Sequence, residues 1–308
     1  NQTAKDETNH NANLNADASV LEYSKVAVAF ASRSTVQGWF TQFNNLQLER
    51  VGSPWPASQA SLLLATSKQL EGSRSIEKLS ATAQTLVLDN LWPLLAYLPE
   101  TESYAYWRAL HTVGQIKDLE LNYERPAQTE SPDHDPLYSV KFKFDQLGVL
   151  PISKQPGFAG FSGKVTATNA SGSVVIDSKA AVIKMPNLFR ASLPLDHVTG
   201  ALSWTQDKQG MTLHSENIAV ENTDGKLQAS LQLNVPTQGE PNIDLRAVVQ
   251  DFAVQATSRY LPAGIMHEHV LNWLDSAFVT GKVVNAEAIL KGPLKKFPFR
   301  QQEGEFLV

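Results

Sequence analysis

YLPAGIMHEHVLNWLDSAFVTGKVVNAEAILKGPLKKFPF, residues 260–299, decides how the rest of the chain is read. Pro262 stands where a helix can begin, because its missing N–H would be unpaired there in any case. Met266, Val270, Trp273, Leu274 and Ala277 recur at helical spacing, which predicts a helix over 262–278 with one apolar face. Gly281 stops it. Val284, Ala286, Ala288 and Leu290 then alternate with Asn285, Glu287 and Ile289. That is the pattern of a half-buried strand, with Ile289 the one apolar residue on its polar side. Gly292-Pro293 ends the strand and FPF leads out.

The same alternation runs back through the second half. In 226–235 Leu227, Ala229, Leu231, Leu233 and Val235 face one way, against Gln228, Ser230, Gln232 and Asn234. Ile243, Leu245 and Ala247 continue it. Leu202 to Trp204 and Met211 to Leu213 predict a hairpin around 207–210, followed by a strand with Ile218 and Val220. Residues 165–176 predict a hairpin turning near Ser171-Gly172, and 181–185 another strand. Gly157, Gly160 and Gly163 are expected to sit in turns before it. Val140, Phe142 and Phe144 make a bulky face opposed by Lys141 and Lys143.

The first half is less regular. Strands are expected near 25–30, 39–51, 61–64, 81–88 and 116–123. Residues 91–98, LWPLLAYL, are too densely apolar for a surface strand and predict a short buried helix from Pro93. A second short helix is expected over 104–110. Residues 1–19 are polar and cannot bury enough apolar surface to offset their ordering entropy. The expected division is a polar flexible segment 1–19, a β-rich segment 20–126 with short helices near 91–112, a Pro-containing loop 127–136, and a second β-rich segment 137–308 with its helix near 262–278. The fold class is mainly β: a long, strongly curved antiparallel sheet with few helices. Those helices are too few to cover its apolar face. The sheet therefore either curls into a barrel or sandwich, or leaves a concave apolar surface for a ligand.

Composition excludes some partners. The 308 residues are 42% hydrophobic, enough for a sizeable core. A net charge of −5 without a basic block argues against nucleic acid, which needs clustered Lys and Arg. There are no cysteines, so disulfides and thiolate metal sites are excluded. No apolar run reaches the ~18–20 residues of a membrane span and no signal peptide opens the chain, so it is expected to be a segment of a larger protein.

Local motifs give no chemistry. His267-Glu268-His269 is not HExxH, because Leu271 takes the second ligand position, and a solvated helix face explains it better. Asp133-His134-Asp135 lies in a polar, Pro-flanked loop. GFAGFSGK over 157–164 is neither a dinucleotide fingerprint nor a Walker loop, and Lys164 replaces the last glycine of a nucleophile elbow. Trp39, Trp92, Trp107, Trp204 and Trp273 are better explained by packing than by ligand stacking. Lys291, Lys295 and Lys296 are expected to keep an exposed end soluble. No acid–base pair or nucleophilic triad assembles from local spacing. The chain is expected to be no enzyme and to carry no cofactor or metal.

Several blocks, in order, carry a resemblance: RALHTVGQIKDLEL (108–121), GFAGFSGK (157–164), FRASLPLDHVTGALSW (189–204), 210–222 ending in VEN, then YLP, WLDSAF, KGPL and FPF. Together they resemble the YhdP family of AsmA-like bacterial envelope proteins, related to bridge-like lipid-transfer proteins. The likeness is good from about residue 90 and only general before it. It implies a taco-like groove with an apolar interior, in a periplasmic protein anchored in the bacterial inner membrane. Such a groove conducts phospholipids between inner and outer membranes, with membrane proteins as partners at either end.

The resemblance and the alternation meet on one face. The expected groove lining is Val140, Phe142, Phe144, Val165, Leu213, Ile218, Val220, Leu227, Leu231, Leu233, Leu245, Val284 and Leu290. Met266, Val270, Trp273 and Leu274 are expected to form a groove-capping helix with Trp273 pointing inward. About fifteen strands would make a groove roughly 70 Å long. The alternative is a structural or interaction module of the envelope with a closed core and no conduit.

Overall fold

In the computed structural model, residues 22–36, 38–68, 74–97, 111–125, 136–150, 156–297, 299, 301 and 303–308 are described. The polar segment 1–19, the helix expected over 104–110 and nearly all of the loop 127–136 lie outside them.

The described residues form one fourteen-stranded antiparallel sheet in which every strand pairs with the next in sequence. The strands are β1 (Lys25–Thr35), β2 (Gly38–Glu49), β3 (Ser58–Lys68), β4 (Arg74–Val87), β5 (Thr112–Glu124), β6 (Leu137–Val149), β7 (Gly157–Thr168), β8 (Ser171–Lys184), β9 (Leu193–Asp207), β10 (Gly210–Asn222), β11 (Gly225–Pro236), β12 (Asn242–Ala253), β13 (Lys282–Pro293) and β14 (Glu305–Leu307). β1 and β14 are not paired, so the sheet is open rather than a barrel. Thirteen intervals of ~4.8 Å make it roughly 60 Å across. β5 and β6 pair along their length, which carries the sheet unbroken past residues 126–135.

This order follows from local chemistry. Most connections are too short for anything but a return to the neighbouring strand, as at Asn169-Ala170, Lys208-Gln209 and Thr223-Asp224. In the last of these, Asn222 Oδ1 accepts the N–H groups of Asp224 and Gly225, the usual asparagine device for closing a tight turn. The hairpin expected near Ser171-Gly172 turns two residues earlier.

A meander sends its connections alternately to two long rims. One rim carries the two longest, 88–111 and 254–281, together with 50–57, 150–156, 185–192 and the tight turn 223–224. The α-helices of the described residues lie there: α1 (Leu88–Leu91), continued by a 3₁₀ turn Trp92–Tyr97, then α2 (Thr257–Tyr260) and α3 (Glu268–Ala277). Among the described residues no helix is long and apolar enough to cross a membrane.

The glycines of 157–163 are corrected by the structure: they lie inside β7 and not in turns. Gly160 has φ +79°, and a Cβ on it would come within 2.9 Å of the Ala180 carbonyl oxygen. It marks a bulge, one of a series. Asp118 in β5, Gln146 in β6 and Ala180 in β8 also have positive φ. Four successive strands, β5 to β8, are thus kinked, and each bulge bends its strand and sharpens the right-handed twist.

Candidate functional site

Directly paired residues of an antiparallel sheet share a face. Following the pairing from Leu86 gives Ile116, Phe144, Gly163, Ile176, Gly200, Ile218, Ala229, Ala247 and Ala288, one uncharged row across ten strands. Parallel rows flank it. Phe142 pairs with Val165, which pairs with Val174, and Val140 pairs with Ala167. Leu213 pairs with both Trp204 and Leu233. Leu231 pairs with Ser215 and Leu245, and Leu245 leads on to Leu290 and Phe306. Val198, Val220, Leu227, Val249 and Ala286 make another row.

Twelve of the thirteen expected lining residues stand on this face. Phe144 is buried; the other eleven are half-buried. Val284 is 75% exposed, opposite the kink at Asp251, φ 55°. One small cluster is closed: Ala181, Leu195 and Val198, with Phe161, Ile176, Ile183 and Val220 against it. Elsewhere, among the described residues, the face has no second sheet over it, since all fourteen strands belong to one sheet. Eleven hydrophobic residues of the described chain are buried, while twenty-one large ones are exposed, so the apolar surface exceeds what the fold covers.

The opposite face is ionic. Lys117 Nζ donates to Asp145 at 2.7 Å, Lys143 meets Asp118 at 2.8 Å, and Lys282 meets Asp251 at 2.6 Å. The Lys117 ammonium, aided by the Ser162 hydroxyl, holds the Asp145 carboxyl below the usual carboxylate range against its partial burial. A depressed folded-state pKa contributes stability that is present above the unfolded value near 4 and lost as pH falls through the folded one. The acid limb of thermal unfolding below about pH 4 should therefore be shallower in Asp145→Asn than in the parent chain, with the two converging at low pH.

Two serines on the apolar face escape sequence reasoning. Ser178, fully buried, accepts the Ser162 N–H at 2.9 Å and donates back to the Ser162 carbonyl at 3.0 Å, which closes the β7 bulge. Ser215 is buried, and its hydroxyl has no hydrogen-bond partner among the described residues. The available signal is a slip in the alternation. The apolar pattern steps by three from Phe144 to Leu147, from Phe158 to Phe161, and from Leu195 to Val198.

The helical connection differs from its expected form. The helix starts at Glu268 with His267 as its cap, not at Pro262. Residues 261–266 are used otherwise. The Gly264 N–H donates to the Leu188 carbonyl, with the Gly264 Cα packed so close to Asn187 that a Cβ would lie 1.7 Å from its carbonyl oxygen. The side of α3 facing the protein carries Leu271, buried, and Leu274, half-buried. Trp273 lies two residues, about 200°, around the helix from Leu271. It is 67% exposed, Val270 is exposed too, and Met266 is half-buried. Arg190 fixes this orientation by bonding both Asp275 oxygens, at 2.7 and 3.0 Å. Ahead of α3, Tyr260 meets Asn222 and Asp224, Arg259 also bonds Asp224, and Phe252 stacks edge-on against Tyr260. Desolvation raises the Tyr260 pKa, so its hydroxyl stays a donor.

The chain is similar to the intermembrane phospholipid transporter YhdP of Escherichia coli (strain K12), 23% identical over 276 residues. The match covers 88% of this chain and 21% of that protein, so the chain spans about a fifth of the relative's length. No solved structure matches it. The sequence profile of the YhdP protein family matches residues 3–308, nearly the whole length. The chain belongs to the YhdP family.

Proposed function

We propose that the chain is a segment of a periplasmic bridge whose apolar groove takes phospholipid acyl chains and passes them between the inner and outer membranes. The full protein is anchored in the inner membrane and meets membrane proteins at its two ends. The observation that carries this reading is the unbroken apolar row across ten strands with, among the described residues, no second sheet laid over it. Each methylene withdrawn from water onto such a face gains ~0.8 kcal/mol. A uniform row of aliphatic side chains offers no deep local well, so a chain held there can slide. The 254–281 connection caps the groove along one rim.

Photocrosslinking tests this. A benzoylphenylalanine at Leu233, on the apolar face, should form phospholipid adducts in chain expressed in bacteria. The same group at Gln232, on the ionic face, should not. Equal adducts at the two positions, or none at Leu233, would favour a closed structural module instead.

A further inference from the structure

The rim that carries the helices has a feature that the sliding of acyl chains does not need. Residues 185–192 join β8 to β9 where the apolar face ends, at the inward-facing pair Ile183 and Leu193. The loop encloses a cleft of about 320 Å³ walled by Met185, Pro186 and Phe189, with Lys184 and Arg190 at its edge. Arg190 also lines a second cleft of about 270 Å³, shared with Gln255, Ser258, Leu274, Asp275 and Phe278. Arg190 therefore lines both clefts. Both of its bonds to Asp275 leave from Nη1, and Nε and Nη2 have no hydrogen-bond partner among the described residues. Lys184 is exposed and has no ion-pair partner among the described residues.

We propose that Lys184 and Arg190 form a rim station for the phosphate of a phospholipid headgroup. This rests on reading the adjoining face as the acyl-chain surface. A planar guanidinium with one edge fixed by a carboxylate and the other free is oriented to take a phosphate through paired N–H donors. Lys184 adds a point charge on the same cleft. The apolar wall of Met185, Pro186 and Phe189 suits the glycerol and first methylenes, which must leave the headgroup to reach Leu193 and the apolar rows beyond. The rim thus holds the polar end of a lipid whose chains lie on the sheet. Asp275 has two effects: it positions Arg190 and, as a like charge to phosphate, it limits how tightly the headgroup is held.

The test is calorimetric titration of the whole chain with three probes: dihexanoyl phosphatidylglycerol below its micelle concentration, dihexanoylglycerol with the same chains and no phosphate, and inorganic phosphate. Lys184→Gln with Arg190→Gln should weaken phosphatidylglycerol about 10-fold and leave dihexanoylglycerol unchanged, and the phosphatidylglycerol affinity should fall with added salt. Arg190→Gln also breaks the tether of α3, so Asp275→Asn is the second arm. It frees the whole guanidinium and should strengthen phosphatidylglycerol several-fold. Unchanged phosphatidylglycerol binding in both arms overturns the proposal. Inorganic phosphate binding as tightly as phosphatidylglycerol would also overturn it, because the site would then hold a bare anion. If dihexanoylglycerol binds nowhere, the acyl-chain reading fails separately. A loss of phosphatidylglycerol in the rim variant would still uphold the station.

Discussion

Leu231→Asp should lower the phospholipid carried by the chain about 50-fold and leave the sheet folded. Leu231 sits between Ser215 on β10 and Leu245 on β12, in the middle of the apolar face. It is half-buried, with no second sheet pressed against it. A carboxylate there can reach water past the open side, so folding loses about the ~1 kcal/mol by which strand preferences differ. A lipid cannot avoid it. Keeping the carboxylate hydrated pushes roughly three methylenes off the surface, which at ~0.8 kcal/mol each comes to about 2.4 kcal/mol, or about 50-fold. Native mass spectrometry with lipid extraction reads the occupancy, and thermal unfolding followed by circular dichroism reads the sheet. Gln228→Asp, on the other face and paired with the uncharged Ala219 and Val248, is the control and should change neither. Unchanged occupancy in Leu231→Asp would remove Leu231 from the lining.

The second large effect is local. Gly264→Ala should undock the 254–281 connection while the first seven strands keep their protection. The added Cβ would fall 1.7 Å from the Asn187 carbonyl oxygen and 2.6 Å from its carbon. Both are backbone atoms, so no side chain can rotate away. Overfilling of this kind costs about 1–3 kcal/mol where the structure can shift. The shift available is separation of the connection from the 185–192 loop. That loses the Gly264-to-Leu188 hydrogen bond and strains the Arg190–Asp275 pair. Hydrogen exchange should show amides of α3 exchanging about 10- to 100-fold faster, which corresponds to ~1.4–2.7 kcal/mol, with β1 to β7 unchanged. Equal acceleration across the sheet would mean that the connection supports the whole fold rather than one rim of it.

The particular residues explain what could be read without coordinates. Alternation has a period of two, and an open sheet with one wet ionic side preserves it. Leu227 to Val235 therefore gave their strand and their face directly. Short turns such as Lys208-Gln209 left no choice but neighbour pairing, which made a meander readable from its connections. The resemblance blocks from residue 90 onward supplied the family, and the full-length match agrees with them.

What failed to show in the sequence depends on contacts between distant segments. Gln146 and Ala180 take left-handed backbone conformations that nothing in their side chains announces; only the three-residue slips in the apolar pattern hint at them. The glycines of β7 have the composition of a turn, yet they serve close approach between strands: a Cβ on Gly163 would strike the Val175 carbonyl oxygen at 2.1 Å and the Phe144 ring at 2.8 Å. Pro262 offers a legitimate helix start, and helical spacing alone cannot choose between Leu271 and Trp273 as the inward side. The chain itself determined a one-sided antiparallel sheet, because burial of one face imposes the period on every strand. Tertiary structure decided where that sheet kinks and which way its rim helix faces, because backbone carbonyls at Asn187 and Ala180 and the guanidinium of Arg190 arrive from elsewhere in the fold.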